Sequence, residues 1–166
     1  MKRLILVRHA KSSWSDSNLP DKDRPLNERG IAAAPKIGKW LADNGYQPDQ
    51  VVASDAVRCR QTWAGISTEL ADVANVSFVP FLYLATDQEM LEVMQTAEGD
   101  TVLLIGHMPG IGDFARELRR DPPPLHDMFR RYPTGAATAL EFRIDEWPEI
   151  QFGTGVHLDY ATPKDL

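Results

Sequence analysis

The sequence predicts an α/β fold, a three-layer α/β/α sandwich with a mostly parallel central sheet. Three observations predict it. Short apolar runs rich in Val, Ile and Leu recur without polar interruption, as strands covered on both faces require. Segments of helical length separate them, and that alternation makes parallel crossovers. The 166 residues, 43% of them hydrophobic, suffice for one core, so a single domain over residues 1–166 is expected.

Leu4-Ile5-Leu6-Val7 is the first strand. Asn27 is placed to cap a first helix that turns Ile31, Ala34, Ile37 and Leu41 toward the core, with Pro35 as a kink and Asn44-Gly45 as its stop. Val51-Val52-Ala53 is the second strand, and residues 56 to 71 make the second helix, with Val57, Thr62, Ala64 and Leu70 near one broad face. A third strand is expected from Val76 to Phe81, and a third helix from Asp87 to Ala97 that carries Met90, Leu91, Val93 and Met94. Thr101 to Ile105 is the fourth strand, and Pro109-Gly110 precedes a fourth helix that runs to about Leu118. Residues 137 to 143 and 149 to 158 alternate more and flank Asp145-Glu146-Trp147-Pro148, which predicts a C-terminal hairpin. Pro122-Pro123-Pro124 reads as a loop.

The charge is −6, from 18 Lys+Arg and 24 Asp+Glu, and it is unevenly placed. Residues 1 to 60 hold 11 basic and 7 acidic side chains, whereas residues 61 to 166 hold 7 and 17. A net acidic chain with pI near 5.2 is a poor general binder of nucleic acid or anionic membrane, so neither is expected as a partner. Any anion site has to be local. The lone Cys59 has no partner for a disulfide or thiolate metal site, no apolar run approaches the roughly 18 residues of a bilayer span, and the N-terminal apolar run turns polar at Arg8. A cytoplasmic setting is the expectation.

Ligands of α/β sheets bind at the carboxyl ends of the strands. Arg8-His9-Ala10-Lys11-Ser12-Ser13 follows the first strand, Ser54-Asp55-Ala56-Val57-Arg58 the second, and Gly106-His107-Met108-Pro109-Gly110 the fourth. Taken singly, His9 and His107 read as surface or capping groups and Arg58 as a solvated helix arginine. Their coincidence at neighbouring strand ends, beside a helix start at residue 56, describes a phosphate-sized cationic site. Zinc is the rival for two histidines, but no HxxxH spacing, acidic third ligand or second Cys accompanies them, so no metal is expected. The chemistry that fits is phosphoryl transfer through a covalent phosphohistidine, for which neutral imidazole is a competent nucleophile and neighbouring cations neutralise the transferring oxygens without a cofactor.

These residues resemble a family. Arg8-His9-Ala10, Ser54 with Arg58 and Gln61-Thr62, and Gly106-His107 look like the histidine phosphatase superfamily, whose fold is called phosphoglycerate mutase-like. Leu6 to Trp14 and Asp23 to Gly30 look like its small SixA-type phosphohistidine phosphatases, and the likeness covers most of residues 3 to 110. The resemblance implies that His9 is the nucleophile that becomes phosphorylated and that Arg8, Arg58 and His107 bind and stabilise the phosphoryl group. It implies a phosphorylated protein of the histidine phosphotransfer type, or a small phosphorylated substrate, as partner. Lys11 and Ser12 extend the loop, either toward the substrate anion or as plain turn residues. A small-molecule phosphomonoesterase of the same fold and a non-catalytic phosphoprotein-binding module are the alternatives.

The chain departs from larger relatives. Position 10 is Ala where Gly is commoner, Asp55 stands where many relatives have Pro, and Met108 follows His107 where the acid-phosphatase branch carries an acidic proton donor. Asp87 and Glu89 fall in the interval of the mutase branch's acid without matching its pattern, which leaves them, water, or the first turn of a helix as readings. A missing acid is informative, because protonating an alkoxide leaving group is typically worth about 10²- to 10⁴-fold, whereas imidazole leaves readily. The sequence therefore favours a phosphoramidate substrate. Asp23-Arg24 is expected as a structural ion pair near the rim, and Trp14, Trp40, Trp63 and Trp147 as core or rim packing. His126 and His157 sit in no motif. Arg116, Arg119, Arg120, Arg130 and Arg131 surround the proline loop, as a solvated face or as a docking rim for an acidic protein.

Overall fold

Six strands build one sheet in a computed structural model that describes all 166 residues. They are β1 (Lys2–Arg8), β2 (Gln50–Ser54), β3 (Asn75–Val79), β4 (Thr101–Gly106), β5 (Ala137–Phe142) and β6 (Val156–Ala161), in the order β3-β2-β4-β1-β5-β6. The pairs β3-β2, β2-β4 and β4-β1 are parallel, while β5 runs antiparallel to β1 and β6 antiparallel to β5. Helices α1 (Glu28–Asp43), α2 (Val57–Ser67), α3 (Asp87–Met94) and α4 (Gly110–Glu117) cover the sheet.

Residue alternation along the central strands assigns the two faces. Ile5, Val7, Val51, Ala53, Leu103 and Ile105 pack with Ile37 and Leu41 of α1 and Cys59 and Ile66 of α2. Leu4, Leu6, Val52, Val102 and Leu104 pack instead with Met90 and Met94 of α3 and Ile111 and Phe114 of α4. A strand buried on both faces has no polar position to spare, which is why these runs are continuously apolar. The three-layer α/β fold predicted from the sequence is the one observed.

The helix ends follow local rules. Asn27 accepts the Gly30 N–H at 2.9 Å and starts α1, which continues through Pro35 to Asp43 and gives way to Gly45 at φ +73°. Thr86 and Glu89 form a capping box on α3.

Several expectations need correction. Ile31 is exposed rather than core-facing, because Ala34, Ile37 and Leu41 already fill the buried stripe of α1. α2 stops at Ser67, four residues short of the predicted end, with Ala64 on its exposed face and Cys59 and Ile66 buried instead. α3 ends at Met94, not Ala97. β3 is an edge strand of mixed exposure, not a covered one, and Pro80–Leu82 leaves it as a 3-10 turn. The last strand lies at Val156–Ala161 rather than 149 to 158, because Trp147 buries itself in a 3-10 turn and its indole N–H donates to the Gly99 carbonyl at 2.6 Å. The C-terminal hairpin pairing itself is present, with a bulge at Ala139/Leu140. The triple-proline stretch is a loop between α4 and β5.

Candidate active site

Parallel pairing sets the first histidine beside the second. Arg8 at the end of β1 lies opposite Gly106 of β4, and the His9 N–H donates to the Gly106 carbonyl at 3.1 Å. On the other flank of β4, Ala53 lies opposite Ile105, so Ser54 and the start of α2 arrive next to His107. The site thus forms where β1 separates a parallel neighbour from an antiparallel one.

The loop after β1 is bolted down. The Ala10 N–H donates to Thr62 Oγ1 at 3.0 Å, and the Thr62 hydroxyl donates to the Arg58 carbonyl at 2.7 Å, which joins the loop to α2. The Lys11 carbonyl accepts the Asn27 N–H at 3.0 Å. The same carbonyl lies against Gly30, where an added Cβ would sit 2.1 Å from it. The Gly135 N–H, at φ +78°, donates to the Arg8 and His9 carbonyls at 3.0 and 3.1 Å.

His9 is only 6% exposed, and its Nδ1 lies 2.7 Å from the Ala10 carbonyl oxygen. A carbonyl can only accept, so Nδ1 carries the ring proton and Nε2 keeps a free lone pair. Burial, assisted by His107, Arg58 and Arg8, pushes the ring pKa down to about 3, so the imidazole is neutral at physiological pH. His107 is buried as well, with its ring centre 5.3 Å from that of His9. Arg58 donates to its Nδ1 at 3.3 Å, which leaves the proton on Nε2 to be donated to Ser54 Oγ at 2.8 Å. Burial and then Arg58 hold its pKa down at about 4.

Arg58 is 3% exposed and is held by a carboxylate that sequence reasoning missed. Its guanidinium donates to the Asp21 carbonyl at 2.7 Å and to Asp21 Oδ2 at 3.0 Å. Asp21 also receives the Tyr83 hydroxyl and Arg24 Nε, the latter at 3.1 Å. The Tyr83 bond, followed by Arg58 and Arg24, keeps the Asp21 pKa down at about 2. The expected Asp23-Arg24 pair is therefore an Asp21-Arg24 pair, one helical turn apart in a 3-10 segment (Asp21–Asp23) that Lys22 also ties to Asp55 at 2.8 Å. Buried Arg24 in turn donates to Ser12 Oγ at 2.9 Å and the Ser13 carbonyl at 3.1 Å, beneath the exposed Trp14 ring. Ser12 thus orients Arg24.

A pocket of about 360 Å³ results, at the small end of ligand sites. Its walls include Arg8, Lys11, Arg24 and Arg58 but a single carboxylate, Asp21. Arg8 donates to the Tyr132 carbonyl at 3.1 Å, and the buried Nε–H groups of Arg8 and Arg58 have no protein acceptor. Four cationic side chains against one carboxylate give the pocket the charge of an anion site. Arg8, His9, Lys11, Ser12, Arg58 and His107, the residues singled out in the sequence, all line it. Neither candidate acid does: Glu89 is consumed by the α3 capping box, and Asp87 sits against Glu117, whose pKa it raises. The arginine group around the proline loop is also elsewhere, with Arg116 on Asp113, Arg120 on Asp121 and Arg119 over the Phe129 ring. No helix is long and apolar enough to cross a membrane.

Comparison with known proteins bears on the family and the fold. Residues 4–80 match the family model of the histidine phosphatase superfamily (branch 1). An uncharacterized protein of Mycobacterium tuberculosis (strain ATCC 25618 / H37Rv) is 30% identical over 165 residues, covering 95% of this chain and 100% of its own length. An uncharacterized chloroplastic protein of Arabidopsis thaliana is 38% identical over 128 residues, 70% of this chain, and the chain spans 59% of that protein's length. Among solved structures, a SixA-type chain from Nakamurella multipartitia superposes with a TM-score of 0.80 at 29% identity, covering 98% of this chain and 96% of that one.

Proposed function

This chain belongs to the histidine phosphatase superfamily and is of its SixA type, and from that premise we propose that it hydrolyses phosphohistidine on a protein substrate through a covalent phospho-His9 intermediate. The observation that carries the reading is the His9 ring, neutral, with Nδ1–H fixed on the Ala10 carbonyl and Nε2 free in a pocket lined by four cationic side chains. In the proposed reaction the Nε2 lone pair attacks phosphorus and the substrate P–N bond breaks. The substrate imidazole leaves with its electron pair as a neutral ring, the far nitrogen being protonated. Water then attacks phospho-His9 and releases inorganic phosphate. Arg8 and Arg58 neutralise the transferring oxygens. A phosphoryl anion beside His107 raises its pKa, and a proton taken up on Nδ1 exchanges the bond from Arg58 for one donated to the anion.

The leaving group decides between amidate and ester. The one carboxylate in the pocket wall, Asp21, stays ionised and binds three donors, so it has no proton to give an alkoxide. A phosphohistidine that already carries a proton on its far nitrogen needs none on the nitrogen that departs.

Rates on phosphoramidate and on a phosphohistidine-bearing protein, measured against sugar and nucleotide phosphates, test this reading. The amidates are expected to react faster by at least about tenfold, and His9→Ala to abolish turnover. Wild-type enzyme quenched into alkali during turnover is expected to carry phosphate on His9, in a base-stable and acid-labile bond. Faster turnover of the esters, or a phosphate-free His9, overturns it.

A further inference from the structure

A second cavity of about 190 Å³ adjoins the catalytic pocket and shares Lys11 and Thr134 with it as a common wall. Three elements each bring one cation to it. Lys11 comes from the loop after β1, Arg29 from the first turn of α1, and Lys164 from the C-terminal 3-10 turn Pro163–Asp165. None of the three forms an ion pair. On Asp165, next to Lys164, Oδ2 accepts the Thr162 N–H and hydroxyl at 2.8 and 3.1 Å and His126 Nε2–H at 2.8 Å.

The backbones that carry these cations are fixed. The Lys11 carbonyl is bonded to the Asn27 N–H and packed on Gly30, and Arg29 follows a capped helix start. Pro163 packs so closely on Gly135 that an added Cβ there would lie 2.6 Å from its ring. Ala33, Met128 and Pro133 give the groove an apolar floor. In a chain of net charge −6, three cations that form no ion pair over an apolar floor give the groove a positive lining that an anion with an aliphatic stem complements. Carboxylates of Asp and Glu side chains have that form.

We propose that this groove binds a second anionic group of the substrate, supplied by the carboxylates of an acidic segment that flanks the phosphohistidine of its protein partner. The proposal rests on the catalytic reading above, since the shared wall is what lets one substrate span both cavities.

The test compares wild type with Arg29→Ala/Lys164→Ala on five probes. They are phosphoramidate, a phosphohistidine peptide with neutral flanks, one with Asp and Glu flanks, and a sugar bisphosphate beside its monophosphate. The double variant is expected to lose about tenfold or more in kcat/KM on the acidic peptide, mainly through KM, and to stay within about twofold on phosphoramidate and the neutral peptide. The wild-type preference for acidic flanks is expected to shrink as salt is raised. Equal effects on the two peptides overturn the proposal, as does a loss confined to the bisphosphate, which would make the second anion that of a small molecule. Failure of the wild-type enzyme on phosphoramidate and both peptides overturns the catalytic reading together with this one, and is told apart by needing no variant.

Discussion

Asp21 receives hydrogen bonds from Arg58, Arg24 and Tyr83, and so a single exposed carboxylate sets the orientation of two buried arginines. A competing reading makes Asp21 a drain on positive charge, in which case its removal would strengthen phosphate binding. The geometry argues for positioning, because Arg58 also bonds the Asp21 backbone carbonyl, and its guanidinium is the donor to His107. Asp21→Asn is therefore expected to lower kcat/KM by about tenfold, since small misplacements of catalytic groups cost that much or more, and Tyr83→Phe to lower it less. Tighter inhibition by inorganic phosphate with unchanged kcat/KM in the asparagine variant would favour charge competition instead. Residues of this kind explain what the sequence conceals. Arg8, His9, Arg58 and His107 were legible because each ends a strand, directly follows one or opens a helix, where the fold class itself predicts ligands. Asp21 and Tyr83 come from short turns with no periodicity, and only the three-dimensional path of the chain brings them together.

Among the elements, the join between the loop after β1 and α2 depends on Thr62. Its hydroxyl accepts from the Ala10 N–H and donates to the Arg58 carbonyl, both buried, so it links the segment carrying the nucleophile to the helix carrying Arg58. Thr62→Val keeps the shape and leaves the Ala10 N–H unpaired, which is expected to cost about 1–3 kcal/mol in urea unfolding and to reduce turnover more than substrate affinity. Gly30→Ala probes the same loop from α1, since its Cβ would overlap the Lys11 carbonyl. That variant is expected to be destabilised and slow, and a wild-type rate from it would show that the loop can shift freely. Legibility differed by element for a physical reason. Strands β1, β2 and β4 are buried on both faces, so their short apolar runs, rich in Val, Ile and Leu, stand out in the sequence. β3 and β6 lie at the sheet edges, where fewer positions face the core, and their ends moved by up to several residues from the sequence reading. Ile31 and Ala64 show the same limit on helices, where a wide apolar face contains positions that the neighbouring element does not reach.

For the whole molecule, burying two neutral histidines ties the fold to pH. In the unfolded chain each has its ordinary pKa near 6.5, whereas in the folded protein His9 is held at about 3 and His107 at about 4. Between those values the unfolded state binds more protons, so folding stability rises with pH there and is lost as pH falls below about 6.5. The contribution of each ring is about 1 kcal/mol by pH 5.5, where Asp21, with its folded pKa of about 2, remains ionised and adds nothing to the slope. His157, also shifted down by burial, acts in the same direction. Urea midpoints at pH 7.5 and 5.5 are expected to fall for the wild-type protein and to fall less for His9→Asn/His107→Asn, whose amides do not titrate. A wild-type midpoint that stays flat over this interval would mean that both rings accept protons in the folded state, and the neutral nucleophile would go with it. The acidic balance of the chain then has a specific consequence. Carboxylates dominate outside the pocket while the pocket holds four cations against Asp21, so a charged His9 or His107 would add to a positive cluster, and the fold keeps both neutral at the cost of acid stability.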